Sequence, residues 1–236
     1  MYAQPVYMST FSYRTSTFST LTSTSSSSSL SDKSIFPQTF GIYQPSSKPH
    51  LVLAHSSKSS SDPFFYISIH SSFRSKPDIT LHHGRSKAAH PLASAEFKGW
   101  SSTPHITLGS TRYGAAPTEA LKTEGFFHRL HYFSLYLEGE GRRERFEWKS
   151  SCGPEVRALG HSTGMKLVRV QTREVVAAYA DVSFALYKRG KMAFLDRGNG
   201  REGLGDEWRV MVIMTLLAIL EQRRIAASTN AATIVV

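Results

Sequence analysis

The chain has 236 residues and a formal net charge of +10, from 28 Lys and Arg against 18 Asp and Glu. Hydrophobic residues make up 40% and charged residues 19%, which excludes a fully disordered chain, a coiled coil, a polytopic membrane protein and an acidic solvating protein. The single cysteine, Cys152, excludes a disulfide scaffold and a Cys-rich zinc site.

The first part of the chain is dominated by hydroxyl side chains. Residues 9–34 contain twelve serines and six threonines. Such a stretch buries too little apolar surface to offset the entropy of ordering it, so residues 1–37 are predicted to be a disordered tail. No continuous apolar segment typical of a secretory signal stands near the N-terminus. With a lone cysteine, this favours an intracellular protein, either cytoplasmic or peripherally membrane-associated.

From Thr39 onward, short runs alternate apolar with polar residues and are separated by Gly, Pro, Ser or Asp. This pattern predicts β-strands joined by turns. The runs are 51–53, 65–69, 79–81, 91–97, 105–108, 127–137, 146–148, 167–170, 175–179, 182–187 and 191–195. Residues 139–141 and 189–191 are predicted to be tight turns. Because no long helix separates the strands, the sheet should be mainly antiparallel and closed into a barrel or stacked as a sandwich.

Residues 206–226 break this pattern and predict one long helix. Asp206 can cap its start and Arg223 and Arg224 can lie at its end, which complements the helix dipole. Residues 210–220 are apolar on every face, with Thr215 as the only interruption. A helix of this kind must be buried on all sides. The apolar run is shorter than the roughly 20 residues that span a bilayer, so a core helix is predicted. The alternative makes residues 208–226 a membrane anchor.

The order of these elements resembles the tubby C-terminal-like group, which includes the LURP-one-related proteins and the phospholipid scramblases. The closer likeness is to a fungal branch of that group. The stretches that carry the likeness are FEWK at 146–149, VRALG at 156–160, MKLVR at 165–169, VVAAY at 175–179, KRGK at 188–191 and LEQRR at 220–224. The likeness covers residues 38–227 and leaves 228–236 as a C-terminal tail.

The resemblance implies an all-β fold, an antiparallel β-barrel of about 12 strands wrapped around a buried hydrophobic C-terminal helix. It also implies a non-enzymatic module, because tubby members bind phosphoinositide headgroups through basic residues on the barrel. Neither a cofactor nor a metal is implied.

Two basic clusters stand beside predicted turns and could form such a site. They comprise Arg142, Arg143, Arg145, Lys188, Arg189 and Lys191. Turns project from the rim of a barrel, where each base near a membrane surface contributes about 1 kcal/mol. The predicted partner is therefore an anionic membrane lipid or a protein. Nucleic acid is not expected, because the bases are scattered along the chain and no recognised motif accompanies them.

A different class of function is suggested by residues 198–203, which spell G-x-G-x-x-G between a predicted strand and the helix. The alternative is therefore a nucleotide-dependent enzyme that uses the Gly198–Gly203 loop. The context argues against it, because no parallel strand follows the helix. No catalytic constellation stands out, and the ten histidines are expected at the surface because their spacing does not converge on a metal.

Overall fold

The computed structural model describes residues 34–45, 50–55, 62–70, 77–97, 103–109, 117–125, 130–137, 141–182, 185, 187–195 and 204–233. These residues form thirteen strands and two helices. The strands are β1 (Thr39–Tyr43), β2 (His50–His55), β3 (Pro63–Ile69), β4 (Ile79–His82), β5 (Pro91–Phe97), β6 (Pro104–Leu108), β7 (Thr118–Ala120), β8 (Lys122–Glu124), β9 (Leu130–Leu137), β10 (Arg142–Ser151), β11 (Gly164–Arg169), β12 (Val175–Asp181) and β13 (Lys188–Phe194). The helices are α1 (Pro154–Arg157) and α2 (Gly205–Thr233).

The strands form one antiparallel sheet in the order β7-β6-β5-β4-β3-β2-β1-β13-β12-β11-β10-β9-β8. Its two edge strands, β7 and β8, are consecutive in the chain and are joined by the fully buried Leu121. β7 also lies against β9, the neighbour of β8, so the sheet curls into a nearly closed barrel. The predicted all-β antiparallel barrel is confirmed.

The interior of the barrel is filled by alternate side chains of the strands, as the period of a strand requires. In β10, Phe146 and Trp148 are completely buried, whereas Arg145 and Glu147, which alternate with them, are only partly buried. The ring of Trp208 on α2 lies 5.9 Å from that of Phe146 and 5.8 Å from that of Phe194, measured between centroids. The strands and the helix therefore share one hydrophobic core.

Helix α2 runs through this core, and every residue from Trp208 to Ile219 is buried. An all-round apolar surface is stable only where neighbours cover every face, and here the strands cover it. The predicted core helix is confirmed, and the arrangement does not support residues 208–226 as an anchor. Within the described segments, neither helix combines the length and the apolar character that a bilayer span requires.

Thr215, the one polar residue in the apolar run, has a defined partner. Its hydroxyl accepts a hydrogen bond from the Trp148 indole Nε1 at 3.0 Å and donates one to the Val212 carbonyl, also at 3.0 Å. Both side chains are fully buried. A buried indole N–H without an acceptor costs free energy, so Thr215 fixes the position of the helix against β10.

We therefore expect Thr215→Val to lower the free energy of unfolding by about 1–2 kcal/mol, because it leaves the buried Trp148 N–H unpaired. Urea denaturation followed by tryptophan fluorescence measures this change. Thr229→Val is the matched control, since the Thr229 hydroxyl also bonds a carbonyl one turn back but is exposed. Equal stability of the two variants would contradict a role for the Trp148 contact.

The predicted ends of the domain need correction. Residues 1–33 of the predicted disordered tail lie outside the described residues, but Phe36 is buried and packs on Phe65 and Phe194. The Ser34 hydroxyl also bonds the Asp206 carboxylate, so Asp206 holds the incoming chain. At the other end, α2 continues to Thr233, beyond the predicted end at 226 and into the predicted tail 228–236.

Two local predictions in the second half were wrong. Val182, Ala185 and Tyr187 are not in a strand, and residues 189–191 lie within β13 rather than in a turn. Gly190 is required for packing and not for a positive φ, because a Cβ there would lie 2.2 Å from the Tyr179 ring. The sequence pattern also missed β1, β7, β8 and α1, which are short or carry weak alternation.

Candidate functional site

Strand register assigns the two predicted basic clusters to opposite ends of the barrel. Ser151 at the end of β10 pairs with Gly164, Gly164 pairs with Ala180, and Ala180 pairs with Lys191. Arg142 stands nine residues before Ser151 on the same strand. At about 3.3 Å per residue, the clusters are therefore about 30 Å apart along the strand direction. At this separation the two clusters cannot form one site. We call the two ends of the barrel the Arg142 end and the Lys188 end.

At the Arg142 end, the three arginines are paired with carboxylates. Arg142 Nε donates to Glu144 at 2.8 Å, and the Arg143 guanidinium forms an ion pair with Glu119 on β7. Arg145 bonds Glu124 on β8 at 2.8 Å. Because β7 and β8 are the sheet edges, the Arg143 and Arg145 pairs tie β10 to both sides of the seam. The Arg142 cluster therefore has a structural role, and its predicted role in ligand binding stays a prediction.

Arg145 shows how completely these charges are compensated. Its guanidinium carbon lies 3.7 Å from the centroid of the Tyr132 ring, and its Nε lies 3.0 Å from Glu147. Burial lowers the pKa of Arg145, but the Glu124 and Glu147 carboxylates outweigh it and the pKa is raised. A guanidinium that already contacts two carboxylates and an aromatic ring attracts a further anionic ligand only weakly.

At the Lys188 end, a cavity of about 540 Å³ opens between the emerging part of α2 and the strands. We call it the Lys188 cavity. Its lining residues are Gln44, Leu51, Ile67, Ile69, Ile79, Tyr179, Asp181, Val182, Ala185, Lys188, Arg189, Leu217, Leu220, Glu221, Arg223 and Arg224. Its volume falls within the range of about 300–1,000 Å³ that is typical of small-molecule sites.

The floor of the Lys188 cavity is apolar. Ile67, Ile79 and Leu217 are almost completely buried there. The Tyr179 phenol donates a hydrogen bond to the main-chain carbonyl of Arg189 at 3.1 Å. Burial, and then the neighbouring Asp181 carboxylate, raise the pKa of Tyr179 far above its usual value. The phenol is therefore neutral at physiological pH and adds a polar but uncharged group to the floor.

The mouth of the Lys188 cavity is basic. Lys188, Arg189, Arg223 and Arg224 line it, with Asp181 and Glu221 as the lining acids, so the lining carries four positive and two negative charges. Arg224 is held by Glu221, with donor–acceptor distances of 2.9 and 2.7 Å. Arg189 donates two hydrogen bonds to the neutral Gln44 amide oxygen, and among the described residues no carboxylate forms an ion pair with it.

Lys188 stands in a surplus of positive charge. Its Nζ lies 5.6 Å from the centroid of the Tyr43 ring, and none of the carboxylates in the described ranges forms an ion pair with it. Burial, and then the charge of Lys191, lower the pKa of Lys188. An anion at this position would relieve that repulsion. The electrostatics of the mouth therefore favour an anionic ligand.

The structure brings together only part of the predicted site. Lys188 and Arg189 line the cavity, and Lys191 lies close enough to affect the pKa of Lys188 without lining it. Sequence reasoning placed Arg223 and Arg224 at a helix end, but they lie at the cavity mouth. The usable signal was their position directly after a buried helical run, where a core helix must leave its barrel.

Other predicted sites lie elsewhere. The Gly198–Gly203 loop is outside the described residues. The expected surface position of the histidines is wrong for His82 and His131, which are buried. His82 bonds the Ser68 hydroxyl and the Ala89 carbonyl, each at 2.9 Å, so it has a structural role. No group of three or more His, Cys, Asp or Glu in the described segments is placed to hold a metal ion.

Known proteins offer no relative from which a function could be inferred. No protein-family model, curated protein or solved structure matches the chain. The resemblance to the tubby C-terminal-like group therefore stays a prediction from the sequence, and the function must be argued from the site itself.

Proposed function

We propose that this protein is a non-catalytic module that binds anionic phospholipid headgroups, such as phosphoinositides, at the Lys188 end of its barrel. One observation carries the proposal. Lys188, Arg189 and Arg223 line one cavity mouth, and within the described residues none of them forms an ion pair. Phosphate oxygens are the natural partners of such cations.

The contrast between the two barrel ends supports this choice. The arginines of the Arg142 end each form an ion pair with a carboxylate, which weakens their attraction for an anionic ligand. The resemblance to tubby proteins points to the same ligand class. Binding at the mouth would make the protein peripherally membrane-associated, since the cations that touch the headgroup are on one end of the molecule.

We expect the double variant Lys188→Gln/Arg189→Gln to bind vesicles containing a phosphoinositide about 30-fold more weakly than the original protein. The reason is that each base near an anionic surface contributes about 1 kcal/mol, so two contribute about 2 kcal/mol. Vesicle co-sedimentation at constant salt measures the partition coefficient, with phosphatidylcholine vesicles as the uncharged reference.

The matched control is Lys87→Gln/Lys122→Gln. It removes the same two charges from exposed positions that do not line the cavity. If binding depends only on net charge, both double variants will lose the same affinity, and the proposed site is wrong. Absence of binding by the original protein at low salt would reject the proposed function as a whole.

A further inference from the structure

We infer that the Lys188 cavity holds the acyl chain of a singly acylated phosphate lipid, with the phosphate at the cationic mouth. This inference rests on the proposed function, because both use the same cations. It adds that the ligand's tail leaves the bilayer or the solvent and enters the protein.

The first support is the gradient of burial along the cavity lining. The aliphatic residues Ile67, Ile79 and Leu217 are at most 2% exposed, whereas Arg189 and Arg223 are exposed to solvent. Three further aliphatic side chains, Leu51, Ile69 and Leu220, are partly buried along the same lining. These three partly buried side chains still contact water in the free protein; a purely polar headgroup would leave them there, and an acyl chain would cover them.

The second support is the size of the cavity. Liquid water occupies about 30 Å³ per molecule, so about 540 Å³ holds on the order of 18 water-sized groups. A methylene group is similar in size to a water molecule. The space therefore suits one acyl chain with part of its headgroup, and it is too small for two long chains.

The third support is charge complementarity. The lining carries four cations and two carboxylates, a net charge of +2. A phosphate monoester carries about −1.5 to −2 at neutral pH, which balances this surplus. A fatty-acid carboxylate would balance only half of it. The charge of the mouth therefore favours a phosphate head over a carboxylate.

The test uses lysophosphatidic acids of increasing chain length, kept below their micelle-forming concentration, with glycerol phosphate as the headgroup without a tail. Isothermal titration calorimetry measures the dissociation constants for the full chain. We expect the affinity to rise about fourfold for each added methylene until the cavity is full, because each buried methylene contributes a constant increment. Fatty acids of the same lengths should bind more weakly than the corresponding phosphates.

Two variants separate tail binding from head binding. Leu220→Trp narrows the cavity and should flatten the dependence on chain length, whereas Ile225→Trp on the exposed part of α2 should leave it unchanged. Lys188→Gln/Arg189→Gln should weaken every chain length by the same factor. If Leu220→Trp does not fold, the chain-length series on the original protein still decides.

The outcomes also separate this inference from the proposed function. An affinity independent of chain length, with vesicle binding intact, overturns the inference and leaves headgroup binding in place. If the original protein binds neither the vesicles nor the lysolipids, the inference and the proposed function are both rejected. Stronger binding of fatty acids than of phosphates would overturn the assignment of the phosphate head.

Discussion

Ile219→Asp should abolish the cooperative folding of the barrel. Ile219 is completely buried near the middle of α2, where its own side chain lies in the core of the barrel. An unpaired carboxylate there costs several kcal/mol after relaxation, and the lost isoleucine contributes about 1.5–3 kcal/mol more. The sum is comparable with the whole stability of a domain, about 5–15 kcal/mol.

Ile225→Asp is the matched control, since it makes the same change on the same helix at a side chain that is 39% exposed. It should unfold with the original midpoint in urea, as judged by circular dichroism, whereas Ile219→Asp should show no cooperative transition. A cooperative Ile219→Asp with an unchanged midpoint would mean that the barrel does not enclose this part of the helix.

The core helix could be predicted because its signal is local and chemically simple. Eleven successive positions without a polar face demand burial on all sides, whatever the rest of the chain does. The strands were predicted for a similar reason, because alternation such as Phe65, Ile67 and Ile69 marks one buried face. Together these two signals were enough to predict an antiparallel barrel around a helix.

The seam of the barrel, where β7 and β8 meet, could not be predicted from such local patterns. β7 and β8 have three residues each, too few for a period to be visible. Yet they supply Glu119 and Glu124, which pair with Arg143 and Arg145. The sequence shows a cluster of arginines. Only the pairing of distant strands shows that these arginines already form ion pairs with carboxylates.

The cavity was missed for the same physical reason. Its cations come from β13 and from the middle part of α2 where the helix leaves the barrel, and no local pattern connects them. Gly190 misled the prediction further, because a glycine between two basic residues is typical of a turn. Here it makes room for the ring of Tyr179, a long-range packing requirement that leaves no trace in the neighbouring residues.

Glu144→Gln should lower the free energy of unfolding by about 3 kcal/mol. The Glu144 side chain is 1% exposed and accepts hydrogen bonds from two arginines. Arg169 donates through Nε and Nη2 at 2.5 and 2.9 Å, and Arg142 donates at 2.8 Å. Removing the charge of one partner leaves the others poorly compensated in a low-dielectric site, and breaking such buried pairs costs about 3–5 kcal/mol. Urea denaturation at neutral pH measures the loss.

The exposed pair between Glu124 and Arg145 provides the control. The Glu124 side chain is 58% exposed, so Glu124→Gln makes the same substitution where solvent screens the charge, and it should cost less than about 1 kcal/mol. The difference between the two variants measures what burial adds to an ion pair in this barrel. Equal losses would show that water reaches Glu144, and that the Arg142 end is more open than its packing indicates.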